Sequence, residues 1–208
     1  MQGLYFITDS NFSRNGVIND VQIALECGVK YIQYREKNLC HNKMYENALK
    51  IVSLCNEYNA NCIINDRIAV AREAKAHGIH IGQDDMPIDN ARKLCPEVSM
   101  IGISTHSISQ AIAAEKKGAD YIGFGPVFST STKKIKIPPL GLTKLKDVIN
   151  RVNIPVVAIG GIKISNLPEI SNCSCKSAVL ISDLIGHEDL KERILFCNKR
   201  LKGEISCE

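Results

Sequence analysis

An alternation of two periods constrains this chain more than any single motif. Short β-branched or aromatic runs recur along its whole length: Leu4–Thr8, Tyr31–Arg35, Cys62–Asn65, Gly78–Gly82, Met100–Ser104, Tyr121–Gly125, Val156–Ile159 and Ala178–Ser182. The segments between them have helical spacing. Met44, Ala48, Ile51, Val52 and Cys55 fall at i, i+4, i+7, i+8 and i+11, and Ile108, Ala111, Ile112 and Glu115 repeat the pattern with a polar edge. The strand runs are nearly continuous in apolar character, as in parallel strands covered by helices. Gly28, Gly78 and Gly118 each precede a strand, and a left-handed glycine there would end the preceding helix. Eight strands alternating with helices predict an α/β fold, a (β/α)8 barrel over residues 1–208 without a linker or second domain. An open doubly wound sheet is the alternative, but it usually has fewer strands, and no Gly-x-Gly-x-x-Gly turn follows the first run.

Composition narrows the class further. With 208 residues and 45% hydrophobic content the chain is long enough for one barrel and too apolar for disorder. Lys plus Arg at 26 against Asp plus Glu at 22 leaves +4, too weak and too evenly spread for a nucleic-acid surface. No run approaches the length of a membrane span, and Met1–Asp9 lacks the basic start and cleavage site of a secretory signal. The nine cysteines are scattered, with Cys173-x-Cys175 as the one close pair. They are expected to be reduced and structural, in a cytoplasmic protein.

In a barrel, reactive groups gather at the carboxyl ends of the strands. Those ends here are Gln33-Tyr34-Arg35-Glu36-Lys37, Asn65-Asp66-Arg67, Gln83-Asp84-Asp85, Ser104-Thr105-His106, Gly160-Gly161 and Ser182-Asp183. Asp66 and Asp85 follow neighbouring strands, so their carboxylates can converge on a hard divalent ion such as Mg²⁺; the alternative is that each caps the helix that follows it. Arg35 and Lys37 share one face of an extended segment and suit a diphosphate. Gly160-Gly161 offers bare backbone amides for a second phosphate. The long segment 126–142 carries Thr130, Ser131, Thr132 and Lys133, which could close over an anion. The histidines have no metal-ligand spacing. His80, inside a strand, reads as a core residue and His41 as an exposed one, and none is assigned a catalytic role. No nucleophile motif is present.

The ordered set Tyr5-Phe-Ile-Thr-Asp9, Gln33-Tyr-Arg-Glu-Lys37, Asn65-Asp-Arg67, Gly78-Ile-His-Ile-Gly-Gln-Asp-Asp85, Gly102-Ile-Ser104, Gly118-Ala-Asp-Tyr-Ile-Gly-Phe-Gly-Pro126, Thr130-Ser-Thr-Lys133 and Ala158-Ile-Gly-Gly-Ile162 resembles the thiamine-phosphate synthase family from about residue 3 to 185. The resemblance implies a barrel enzyme that joins hydroxymethylpyrimidine diphosphate to thiazole phosphate and releases pyrophosphate through a carbocation-like step. It implies that Gln33, Tyr34, Arg35, Glu36, Lys37, Asn65, Ser104 and Lys133 contact the pyrimidine diphosphate. Arg35, Lys37, Ser104 and Lys133 would be the catalytic set, and Asp66 and Asp85 would hold Mg²⁺. Thr130, Ser131, Thr132, Gly161, Ile181 and Ser182 would contact the thiazole phosphate. Small-molecule partners are expected, without nucleic acid or membrane, and a homo-oligomer is compatible with the sequence. The approach to the last strand departs from the family pattern: Ser174-Cys-Lys-Ser-Ala178 replaces a glycine-containing segment. A thiazole tautomerase on the same barrel is the rival reading, and a non-catalytic phosphate-binding barrel is a third. The metal and diphosphate residues separate the first reading from both.

Overall fold

All eight apolar runs become parallel strands of one closed barrel in the computed structural model, which describes residues 1–130, 132 and 137–205. The strands are β1 (Gly3–Ile7), β2 (Tyr31–Tyr34), β3 (Asn61–Asn65), β4 (Gly78–Ile81), β5 (Met100–Thr105), β6 (Tyr121–Phe124), β7 (Val156–Ala158) and β8 (Ser177–Ala178). The helices alternate with them: α1 (Val17–Glu26), α2 (His41–Glu57), α3 (Ile68–Glu73), α4 (Ile88–Leu94), α5 (Ile108–Lys116), α6 (Gly141–Ile149), α7 (Leu167–Asn172) and α8 (Leu190–Lys202). Each strand pairs with its sequence neighbours, and β1 closes onto β8 through Gly3↔Ser177 and Leu4↔Ala178. A closed sheet exposes no strand edge.

The core has two layers, as the strand pleat requires. Outward side chains pack under the helices; α2 contributes Met44, Ala48, Ile51, Val52 and Cys55, the face its spacing predicts. Inward side chains form a smaller cluster of Tyr5, Ile63, Tyr121, Val157 and Val179 inside the barrel. The inner set follows register: His80 pairs with Gly102, Gly102 with Tyr121, and Ser104 with Gly123. Gly102 is required there, because a Cβ at that position would overlap the Tyr121 ring. The described cysteines are free thiols, all buried except Cys40; Cys207 lies outside the described residues.

Two local expectations are corrected. Gly28 and Gly118 do take positive φ, 75° and 82°, but Gly78 does not; Lys75, at φ 52°, turns the chain after α3. Gly78 is needed for close approach instead, since a Cβ would meet the Met100 carbonyl oxygen at 2.9 Å. The final strand, expected over Ala178–Ser182, ends at Ala178. After Val179 donates to the Ala158 carbonyl, Leu184 and Ile185 both donate back to Ile181, so Ile181 and Ser182 lie in a turn.

The ends of the chain lock the closure from outside. The Asn198 carboxamide, on α8, accepts from the Leu4 backbone N–H at 3.1 Å and donates to the Cys27 carbonyl at 3.1 Å. The Ser177 hydroxyl donates to the Gly3 carbonyl at 2.9 Å.

Candidate active site

Strand alternation sorts the second strand end before any ligand is considered. Gln33 and Arg35 point into a cavity at the carboxyl ends of the strands. Tyr34 and Glu36 point away: the Tyr34 hydroxyl accepts from Asn47 of α2, and the Glu36 carboxylate accepts from the backbone N–H groups of Lys37 and Asn38, holding its own loop. Of the sequence-derived set, the cavity collects Gln33, Arg35, Asn65, Ser104, Thr130, Thr132 and Ile181, and it adds Tyr5, His80, His106 and Tyr121.

The β2–β4 end is charged and held by side chains. Arg35 donates to Asp9 at 2.9 Å, and both are largely shielded from solvent, at 17% and 3% side-chain exposure. Thr8 clamps the Arg35 backbone as well, accepting from its N–H at 2.9 Å and donating to its carbonyl at 3.1 Å. Asp9 was not singled out as a site residue; the signal for it is that a shielded guanidinium on β2 needs a carboxylate at the end of a neighbouring strand. Lys37 donates to Asp66 at 3.1 Å.

Asp66 follows β3 and Asp85 follows β4, so the two carboxylates stand at the ends of neighbouring strands. Burial alone would raise the Asp66 pKa, but the Lys37 hydrogen bond and charge outweigh it and hold the carboxyl below its ordinary value. Neither aspartate caps a helix. The N-cap of α3 is Arg67 and that of α4 is Pro87, both without a side-chain cap bond. Asp85 instead accepts from the Gly82 N–H at 2.6 Å. Among the described residues no group of three or more His, Cys, Asp or Glu side chains is placed to hold a metal ion.

The β6–β8 end is built largely from backbone and neutral groups. Ser129, Thr130, Thr132, Gly160, Gly161, Ile181 and Ser182 line it, together with Lys163, a cation whose signal in the sequence is its place two residues after the glycine pair. Gly160 and Gly161 have φ of 87° and 66°. A Cβ on Gly160 would strike Pro126, and one on Gly161 would overlap the Ser129 carbonyl oxygen. The loop that follows β6 is tied at its base, where Leu140 and Gly141 donate to the Pro126 and Val127 carbonyls at 2.8 and 3.1 Å. Ser131 and Lys133 lie outside the described residues.

Between the two ends the floor is aromatic and polar. Tyr5 and Tyr121 hydroxyls meet at 2.6 Å, Gln33 donates to Tyr5 at 2.9 Å, and His80 bridges Tyr121 and Ser104 at 2.9 Å on each side. His80 is therefore buried and satisfied, as expected, yet it faces the cavity and touches Ser104. Parity was the available signal: His80 sits opposite Asn65 in the register, and both line the cavity.

A closed (β/α)8 barrel with polar groups gathered at the carboxyl ends of its strands defines the class: a barrel enzyme. The chain belongs to the thiamine monophosphate synthase family, whose model matches residues 4–184. It is 45% identical over 177 residues to the thiamine-phosphate synthase of Pelotomaculum thermopropionicum, covering 85% of this chain and 81% of that one. It is 43% identical over 187 residues to the Methanosarcina barkeri thiamine-phosphate synthase, covering 90% and 84%. The structure of thiamine phosphate pyrophosphorylase from Pyrococcus furiosus superposes with a TM-score of 0.90 at 36% identity, covering 99% of this chain and 98% of that one. No helix among the described residues is long and apolar enough to cross a membrane.

Proposed function

We propose that this enzyme condenses 4-amino-2-methyl-5-(diphosphooxymethyl)pyrimidine with thiazole phosphate, giving thiamine phosphate and pyrophosphate. The observation that carries the reading is the polarity of the cavity. A cavity that Arg35 enters from β2, with Lys37, Asp66 and Asp85 on the loops beside it, and an end rich in glycine and hydroxyl groups at β6–β8 share Thr130, Thr132, Gly160, Val179 and Ile181 in their linings, so two anionic substrates can lie head to head over one floor.

Arg35, fixed by Asp9 and Thr8, and Lys37 would bind the diphosphate, with Lys133 and Ser104 completing the set. The C–O bond between the pyrimidine methylene and the diphosphate breaks, and the leaving group takes the electron pair. The thiazole nitrogen then gives its lone pair to the methylene carbon. No protein nucleophile or net proton transfer is needed. Cations already in place where charge develops are the main catalytic contribution available here. Thr130, Ser131, Thr132, Gly161, Ile181 and Ser182 would hold the thiazole phosphate and orient its nitrogen, and Asn65 and Gln33 the pyrimidine.

Asp66 and Asp85 fit Mg²⁺, which is commonly bound through one or two carboxylates while substrate phosphates and water complete its shell. Bound there, the ion would supply positive charge to the diphosphate oxygens. Lys37 neutralises Asp66 in the ligand-free site and would be free to turn to the diphosphate once the carboxylate has another cation. The enzyme is proposed to work in the cytoplasm as a one-domain barrel.

The test is pyrophosphate release by purified protein given both substrates and Mg²⁺, with EDTA and single-substrate controls. Release that needs both substrates and the metal, with thiamine phosphate formed in equal amount, is the expected result. No release while thiazole phosphate still binds would overturn the reading in favour of the thiazole tautomerase or the non-catalytic phosphate-binding barrel.

A further inference from the structure

The polar groups under the cavity floor form one directed chain. Gln33 lies at one end, 2% exposed, and its amide nitrogen, as assigned, donates to the Tyr5 hydroxyl at 2.9 Å. Tyr5 then has its own proton for Tyr121, 2.6 Å away, and Tyr121 has its proton for Nδ1 of His80 at 2.9 Å. An Nδ1 that accepts leaves the neutral imidazole protonated on Nε2, which donates to Ser104 Oγ at 2.9 Å. Each step follows from the one before, because a hydroxyl has one proton to give. Burial pushes both phenols well above their ordinary pKa, so the links remain neutral hydrogen bonds. At the far end the Ser104 proton is left for the cavity. At the near end Gln33 presents a carbonyl oxygen and its second N–H.

We infer that this Gln33–Tyr5–Tyr121–His80–Ser104 chain is a reversible hydrogen-bond relay, through which the exocyclic amino group of the pyrimidine sets Ser104 as a donor to the departing diphosphate. The inference rests on the proposed substrates. An amino group beside a ring nitrogen is a donor beside an acceptor, matching the carbonyl and N–H that Gln33 presents in this orientation. A 4-oxo ring presents the opposite pair and favours the flipped amide. The flipped carbonyl would accept from Tyr5, Tyr121 would turn to Tyr5, His80 would carry its proton on Nδ1, and Ser104 would donate to Nε2 instead of to the cavity. One substituent thus decides the direction of every link, and hydrogen bonds in series reinforce one another. Tyr5, Tyr121 and His80 are positioning residues in this scheme; Ser104 and Gln33 touch the substrate.

Two measurements test it. Nitrogen-15 NMR of histidine-labelled, ligand-free protein reads the His80 tautomer directly, assigned through contacts to the Tyr121 ring, whose centroid is 5.5 Å from the imidazole. The Nε2–H form is expected, and the Nδ1–H form overturns the direction. In kinetics, Tyr121→Phe keeps the ring and removes the link. It should lower kcat for pyrophosphate release about tenfold, with KM for the pyrimidine diphosphate within about threefold. Its preference for the 4-amino over the 4-oxo diphosphate should fall about tenfold relative to wild type. An unchanged preference overturns the relay even if kcat falls. If the wild-type protein releases no pyrophosphate, the proposed reaction fails, while the tautomer measurement still decides the relay's direction.

Discussion

In the proposed reaction the two ends of the cavity would solve the same problem, holding phosphate, with different materials. At β2–β4 the charge is carried by side chains that are themselves tied down: Arg35 by Asp9 and Thr8, Lys37 by Asp66, Asp85 by Gly82. At β6–β8 the polar lining among the described residues is glycine backbone, hydroxyls and Lys163. Strong fields belong where a leaving group gains negative charge, since only interactions stronger in the transition state accelerate a step. A phosphate that keeps its charge throughout needs placement, which backbone amides and hydroxyls supply with little side-chain entropy to lose. On the proposed reaction, rate would be set at one end and affinity at the other.

Four substitutions can break that division, and they are ordered here by expected effect. Asp66→Asn removes a charge while keeping a residue that tolerates φ 58°, and it should lower kcat for pyrophosphate release by about 10³-fold with thiazole phosphate KM little changed. Steady-state kinetics in Mg²⁺ checks this, and a pure KM effect would put Asp66 in the affinity set. Asp9→Asn leaves Arg35 present but less firmly held, and a loss of about 10–10²-fold in kcat/KM for the pyrimidine diphosphate is expected. The same variant should bind thiazole phosphate normally by calorimetry. Gly161→Ala forces an alanine to φ 66° against the Ser129 carbonyl. It should raise the thiazole phosphate KM about tenfold and cost about 1–3 kcal/mol in stability, read from denaturant unfolding. Ser182→Ala removes one neutral hydroxyl, and a rise of about threefold in the same KM, with kcat intact, would match the loss of one hydrogen bond.

The same contrast explains what could be read from the chain beforehand. Charged residues at strand ends are conspicuous, so the β2–β4 end was legible as Arg35, Lys37, Asp66 and Asp85. Their anchors were less so, because Asp9 acquires meaning only when the barrel sets β1 beside β2. The backbone end was visible through Gly160-Gly161, the hydroxyls of Thr130 to Thr132 and the strand-end Ser182. Ile181 was reached by resemblance, as β8 is two residues long and its loop has no period to follow. The outer layer of the fold was legible from helical spacing and the inner layer was not. Tyr5, His80 and Tyr121 sit in runs apolar on both faces, so which side chain points inward follows from parity only once the strand register is known. Glu36 shows the opposite error: it stands among cations at a strand end, yet the pleat turns it outward to hold its own loop.

The clasp between Leu4 and Asn198 also sets a clock on the ribosome. Its two partners are 194 residues apart, so at ordinary translation rates about 10–40 s separate the making of β1 from that of the residue that secures it. Until Ser177 and Ala178 are made one side of β1 has no strand to pair with, and the nascent chain holds an open sheet edge that the finished molecule never shows. Chaperone capture and recombinant solubility should depend on that interval, and more on the last helix than its distance from the catalytic groups would suggest.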